Sequence, residues 1–209
     1  MINIIIADDH AVVRKGLKQI FEETVDLVVT GEASSGNELL EKIRIEKYDV
    51  VILDISMPGK DGLDTLKELK NEFADLLVLI FTMYPEEQYA LRVLKAGASG
   101  YINKESEPEE LLSAIRKVTR GRKYISPTLA ELLASNLDTD GKTPLHETLS
   151  DREYQVMCLI SSGRTPTEIA SELTLSVNTI STYRLRILEK MNMKNNAELT
   201  HYAVKNHLV

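Results

Sequence analysis

Through the first 120 residues, short apolar runs alternate with stretches of helical periodicity, and this repeated switch of period restricts the fold more than any other feature. The apolar runs are Ile2–Ala7, Leu27–Ala33, Asp49–Leu53, Leu76–Phe81 and Ser99–Ile102. Most are almost continuously apolar, as strands buried on both faces must be. Between and after them lie helical patterns at 11–23, 36–46, 62–73, 86–96 and 107–120, the last with Pro108 in its first turn and acidic residues nearby. The alternation predicts an α/β domain: five parallel strands, doubly wound, with helices over both faces.

After Gly121 the alternation stops. Ser126-Pro127 is a start signal for a short helix, and Asp138-Thr139-Asp140-Gly141-Lys142-Thr143-Pro144 is polar and turn-rich, so residues 121–145 are expected to form a linker. From Leu149 every segment reads as helix: Ser150 caps the first with Glu153 three residues later, Gly163 closes it, and Ser176 caps a longer one. A length of 209 residues accommodates two cores, and the second, 146–209, is expected to be all helical.

Hydrophobic residues make up 43% and charged residues 27%, as in soluble domains, and no apolar run reaches the roughly 20 residues of a membrane span. Met1-Ile2-Asn3-Ile4-Ile5-Ile6 reads as a strand rather than a secretion signal, so a cytoplasmic location without membrane partners is expected. Cys158 has no partner for a disulfide and no neighbour at zinc-ligand spacing, which leaves the role of a small buried hydrophobe. Net charge is −7, all of it in residues 1–121, which carry 15 Lys+Arg against 22 Asp+Glu; residues 122–209 carry 10 of each. Charge therefore lends no support to nucleic-acid binding, which has to be argued from motif.

Polar groups at the carboxyl ends of parallel strands converge on one crevice. Strand one delivers Asp8-Asp9, strand three Asp54, strand four Thr82, and Lys104 follows strand five. Any one of these alone is ordinary: an acidic pair caps a turn, a lysine is solvated, a threonine or tyrosine fills a core. Together, three carboxylates this close need a cation, and an all-oxygen set suits Mg²⁺. One carboxylate is then left to act as nucleophile toward a phosphoryl group whose charge Lys104 and Thr82 would stabilise.

Asp8-Asp9, Asp54 after Val50-Val51-Ile52-Leu53, Met57-Pro58, Thr82 and Tyr101-Ile102-Asn103-Lys104 resemble the receiver domain of a two-component response regulator over residues 1–120. The resemblance implies a flavodoxin-like (βα)5 fold with Asp54 as phosphoacceptor. It implies that Asp9, Asp54 and the backbone carbonyl of Ser56 bind Mg²⁺, with Asp8 acting through water, that Lys104 contacts the phosphoryl group, and that Thr82 and Tyr101 form the switch pair. Glu105 follows Lys104 where many receivers have proline, so a cis peptide bond is not implied. Ser56 and Tyr84 occupy positions that in the family govern water access, and a bulky Tyr84 implies slowed hydrolysis.

In the second domain, Thr165–Leu173 and Ser176 onward read as helix, short turn, helix. Ile169, Ala170 and Leu173 are expected to pack against Val177, Ile180, Ile187 and Met191, leaving Asn178, Ser181, Thr182, Leu185 and Arg186 on the opposite face, with Arg184 and Lys190 flanking and Lys194 beyond. With Leu149-Ser150-Asp151-Arg152-Glu153 upstream, the segment resembles a LuxR or NarL (FixJ) type DNA-binding domain. That implies four helices, a recognition helix at 176–191, a last helix near 195–206 as dimer contact, and Thr165, Thr167 and Thr179 among the DNA contacts. Ser181 and Leu185 stand where relatives often have lysine.

The implied whole is a phosphorylation-dependent transcription regulator. Asp54 accepts a phosphoryl group from a sensor histidine kinase, and a homodimer then binds double-stranded promoter DNA, with RNA polymerase as a further partner. It is not expected to be an enzyme beyond Mg²⁺-dependent self-phosphorylation and slow self-dephosphorylation. A competing α/β phosphohydrolase reading usually requires a second aspartate two residues after the nucleophile, where Ser56 stands. Two further readings compete with the regulator: a helical module that binds protein instead of DNA, and DNA binding indifferent to phosphorylation.

Overall fold

The computed structural model describes residues 1–57, 62–137 (135–137 by backbone only) and 144–209; Pro58 and the segment 138–143 of the expected linker lie outside the described residues. The described chain forms two compact units, Met1–Leu133 and Ala134–Val209.

The first unit alternates strand and helix: β1 (Ile2–Ala7), α1 (Ala11–Glu22), β2 (Leu27–Ala33), α2 (Gly36–Ile45), β3 (Val50–Leu53), α3 (Gly62–Glu72), β4 (Leu77–Thr82), α4 (Glu86–Lys95), β5 (Gly100–Asn103) and α5 (Pro108–Val118). All strand pairs are parallel, in the order β2-β1-β3-β4-β5. This is the doubly wound arrangement with its order reversal between β1 and β3, where ligand crevices form. Ile4, Ile6, Val50, Ile52 and Leu79 pack in one core with Leu17 and Phe21 of α1 and Leu111, Ile115 and Val118 of α5. Their neighbours Ile5, Val51, Leu53, Val78 and Ile80 are equally buried and point to the other face. Right-handed crossovers place α2, α3 and α4 there.

The described first part of the expected linker, 121–137, is more ordered than its composition indicated. Tyr124 donates its N–H to the Ser99 carbonyl and bridges Gly100 in parallel, so the chain briefly extends the sheet beyond β5. A helix, α6 (Pro127–Leu137), follows, with the Ser126 hydroxyl accepting from the Leu129 N–H and Leu129 fully buried. Residues up to Leu133 group with the first compact unit, so the start of the expected linker packs with the receiver-like sheet. The signal missing from the sequence was the nonlocal one, the partners waiting on β5 and α4.

The second unit opens with a short 3₁₀ turn, Leu145–Thr148, followed by α7 (Asp151–Ser161), α8 (Pro166–Glu172), α9 (Val177–Lys190) and α10 (Asn196–Lys205). Reciprocal capping boxes start α7 (Ser150 with Glu153) and α8 (Thr165 with Glu168), and Ser176 caps α9. Each such cap contributes about 1 kcal/mol. Gly163, at φ +83°, ends α7 in the left-handed region that glycine adopts without strain.

Candidate functional site

Sheet register brings the expected acidic and basic groups to one edge. Ala7 pairs with Leu53, and the Asp54 N–H continues the ladder to the Ala7 carbonyl at 2.9 Å. Thr82 pairs with Asn103, and the Lys104 N–H reaches the Thr82 carbonyl at 2.8 Å. Gly62, opening α3, packs so closely beneath this loop that a Cβ there would lie 2.4 Å from Ile55 Cα and 2.6 Å from the Asp54 carbonyl oxygen.

Lys104 Nζ stands 2.6 Å from Asp54 Oδ2 and 2.6 Å from Asp8 Oδ2, and all three side chains are buried. The other oxygen of Asp54, Oδ1, accepts from the Ser56 N–H at 3.0 Å and from Ser56 Oγ at 2.9 Å, and Ser56 Oγ lies 3.3 Å from Thr82 Oγ1. The Asp54 carboxylate is thus oriented at both oxygens. Burial works against the Lys104 ammonium, but the Asp54 and Asp8 carboxylates overcome it and hold its pKa above the ordinary 10.5. No peptide bond among the described residues is cis.

One ammonium faces three carboxylates. Asp8 Oδ2 and Asp9 Oδ1 are buried without a well-directed hydrogen bond, although Lys104 and His10 stand near them. The distance of 2.6 Å makes the Lys104–Asp8 attraction real, yet its poor direction leaves lone pairs on Asp8 for another cation. Asp8, Asp9, His10 and Asp54 each bring a ligand atom within 4.8 Å of the others. Carboxylate oxygens with unbalanced negative charge fit a hard divalent ion such as Mg²⁺.

His10 was not anticipated. Its N–H donates to Asp8 Oδ1 at 2.8 Å, and its exposed ring places Nδ1 2.9 Å from Asp9 Oδ1. Only its adjacency to the acidic pair signalled this. For Ser56 the sequence pointed to a backbone carbonyl; its N–H and hydroxyl on Asp54 were the unforeseen part.

Thr82 and Tyr101 are fully buried. The Tyr101 hydroxyl donates to the Tyr84 carbonyl at 2.7 Å and sits 3.3 Å from that of Pro85. Burial drives its phenol far above the usual range, so it stays a donor. Pro85 is the N-cap of α4 and Glu86 its first residue; the Ser126 hydroxyl donates to the Glu86 carboxylate while capping α6. The Tyr84 ring lies on Tyr89, with centroids 4.8 Å apart.

In the helical unit, Ile169, Ala170, Leu173, Ile180, Ile187 and Met191 are buried as expected. Val177 is the exception at 42% exposed, because it occupies the first turn at the open end of α9. Thr165, Thr167, Asn178, Ser181, Thr182, Leu185 and Arg186 are exposed, and Thr179 is half-buried. Ser181 and Thr182 donate their hydroxyls back to the carbonyls of Val177 and Asn178, each at 3.0 Å. Two expected DNA contacts already have partners within the unit: Lys190 Nζ lies 2.6 Å from Glu153 Oε2, and Arg184 Nε donates to Asn196 Oδ1 at 2.6 Å. Thr165 likewise serves as the cap of α8.

Residues 4–116 match the family model described as response regulator receiver domain, and residues 147–203 match bacterial regulatory proteins, luxR family. The chain is 37% identical over 209 residues to the response regulator UvrY of Escherichia coli K12, covering 100% of this chain and 96% of that protein. It is 38% identical to the oxygen regulatory protein NreC of Staphylococcus carnosus, covering 99% and 98%. Among solved structures, RcsB of Salmonella enterica serovar Typhimurium bound to the promoter rprA with the phosphomimetic BeF3⁻ matches with a TM-score of 0.67 at 28% identity, covering 96% and 97%. No helix among the described residues is long and apolar enough to cross a membrane. With a receiver sheet, a helix-turn-helix unit and relatives aligned along the full length of both, this chain is a response regulator of the NarL/LuxR type, a DNA-binding transcription regulator rather than a conventional enzyme.

Proposed function

We propose that this protein is a cytoplasmic transcription regulator switched by phosphorylation of Asp54. The supporting observation is the double hold on that carboxylate, by Lys104 on one oxygen and by Ser56 on the other, beside a cluster with negative charge to spare. A sensor histidine kinase supplies the phosphoryl group. An Asp54 oxygen attacks phosphorus, the phosphorus–nitrogen bond of the donor phosphohistidine breaks, and an acyl phosphate results. Asp9, Asp54 and the Ser56 carbonyl would hold Mg²⁺, with Asp8 acting through water; the ion supplies positive charge to the transferring phosphoryl oxygens. Lys104, now paired with Asp54, would pair with a phosphoryl oxygen, and the Thr82 hydroxyl, 3.3 Å from Ser56 Oγ, would donate to another.

The switch then runs outward through the first unit. Tyr101 is tied to the Tyr84 and Pro85 carbonyls, Pro85 caps α4, and Glu86 receives the hydroxyl that starts α6. A movement of the Tyr101 ring would be felt at Ser126 through these contacts. Ser126→Ala should shrink the difference in DNA affinity between phosphorylated and unphosphorylated protein.

Asn178, Ser181, Thr182, Leu185 and Arg186 would enter the major groove, Leu185 (63% exposed) suiting a thymine methyl group. Thr165, Thr167 and Thr179 would act at the margins, while Arg184 and Lys190 stay with their partners Asn196 and Glu153. The exposed Val204 on α10 supports that helix as the homodimer contact, and promoter-bound dimers would engage RNA polymerase.

The test is binding to a duplex selected in vitro with the wild-type protein, with and without Mg²⁺ and acetyl phosphate. Wild type should tighten about tenfold, a coupling of about 1.4 kcal/mol, and Asp54→Ala should not respond. Equal affinity in all conditions would identify DNA binding indifferent to phosphorylation.

A further inference from the structure

We propose that the basic depression at the end of α5 binds the phosphodiester backbone of double-stranded DNA, as a second contact beside the helix-turn-helix; this rests on the DNA-binding reading above. Residues 116–123 include Arg116, Lys117, Arg120, Arg122 and Lys123 and no acidic residue. The first four line one shallow depression of about 350 Å³, together with Ser113 and a lone carboxylate, Glu109.

The cations differ in how far they are committed. Arg116 is held bidentately by Asp26 at 2.8 and 2.9 Å. Lys117 Nζ sits over the Tyr124 ring, 5.3 Å from its centroid, which fixes the ammonium while leaving its N–H donors available. Arg120 and Arg122 are exposed and have no ion-pair partner among the described residues. Lys123 adds to the excess, since burial and then the Lys123 charge lower the pKa of Lys70. Like charges kept together without acidic partners attract polyanions.

The second unit gives a reason for such a contact. Residues 134–209 carry 8 Lys+Arg against 9 Asp+Glu, and two of the cations on α9 are engaged internally. Phosphate affinity grows with the number of phosphates neutralised, so this unit alone has little to offer. Lys123 precedes the luxR-family match by 24 residues, 123 to 147. Even fully extended, that stretch spans no more than about 85 Å, on the order of 25 base pairs of duplex. Any such contact must therefore fall on DNA close to the bound site. The depression is lined by charged and polar side chains with none of the apolar anchors that hold protein partners, which favours phosphates.

The experiment measures binding of the full chain to a fluorescent 40-base-pair mixed-sequence duplex by anisotropy, between 50 and 200 mM salt. It compares wild type, R120Q/R122Q, Glu109→Gln and Arg186→Gln. The double variant should bind about tenfold more weakly at low salt, with the slope of log affinity against log salt shallower by about 2, while its circular dichroism melt is unchanged. Glu109→Gln should bind a few-fold more tightly. A double variant with the wild-type slope would overturn the proposal while leaving DNA binding by the helical unit intact. Absence of any duplex binding by wild type would overturn both.

Discussion

The two regions that carry function handle charge in opposite ways. In the first unit, Asp8, Asp54 and Lys104 are buried within 2.6 Å contacts, so each side chain has one available position. On the recognition helix the polar groups lie at the surface, and neighbours on α7 and α10 decide which remain available: Glu153 takes Lys190 and Asn196 takes Arg184, while Arg186 stays exposed. A buried charge site is fixed by the strands that deliver it, whereas an exposed interface is fixed by whichever long side chains its own unit leaves unclaimed.

The largest effect is expected from breaking the buried cluster. Lys104→Met leaves two buried carboxylates without their ammonium, which should cost about 3 kcal/mol in urea unfolding with metal chelated and lower phosphoryl transfer by about a hundredfold. Because its folded pKa is raised, the Lys104 contribution is fully present below the unfolded value near 10.5 and is lost only as pH climbs through the folded value. The stability gap between wild type and variant should be flat from neutral pH to about pH 9 and close in strongly alkaline solution. A gap that closes near neutrality would mean that Lys104 is not charged by its carboxylate neighbours.

The exposed region sharpens the comparison by separating two cations on one helix. Arg186→Ala should weaken DNA binding about tenfold, with the salt slope reduced by about 1 and stability unchanged. Lys190→Ala should do the reverse. Its partner Glu153 is buried, but Lys190 is 44% exposed and solvent screens it, so the loss should be about 1 kcal/mol or less, with little change in salt slope. Matching effects of the two variants on DNA binding would show that the Glu153–Lys190 pair opens at the interface. The smallest effect is expected at Tyr84, where removal of the ring in Tyr84→Ala should shorten the phosphoryl half-life a few-fold.

The same contrast explains what could be read from the sequence. β1 and β2 coincide with the expected apolar runs residue for residue, and the remaining strands differ by one residue at their ends. Strands apolar on both faces and acidic groups at their carboxyl ends are local patterns, so the sequence alone places Asp8, Asp54 and Lys104 together. The helix α6 within the expected linker was only half legible: Ser126-Pro127 announces its start, but the Glu86 carboxylate that holds Ser126 lies 40 residues away. The commitments of Lys190 and Arg184 were hidden for the same reason, since their partners stand 37 and 12 residues distant. Periodicity placed both on α9 without showing which atoms they hold.

The central claim is that Asp54 accepts the phosphoryl group, and intact mass after incubation with acetyl phosphate and Mg²⁺ tests it most directly. The account predicts a gain of one phosphoryl mass in wild type, lost when the metal is chelated and absent in Asp54→Ala. An equal gain in Asp54→Ala, or no gain in wild type even from a phosphorylated histidine kinase, would contradict it.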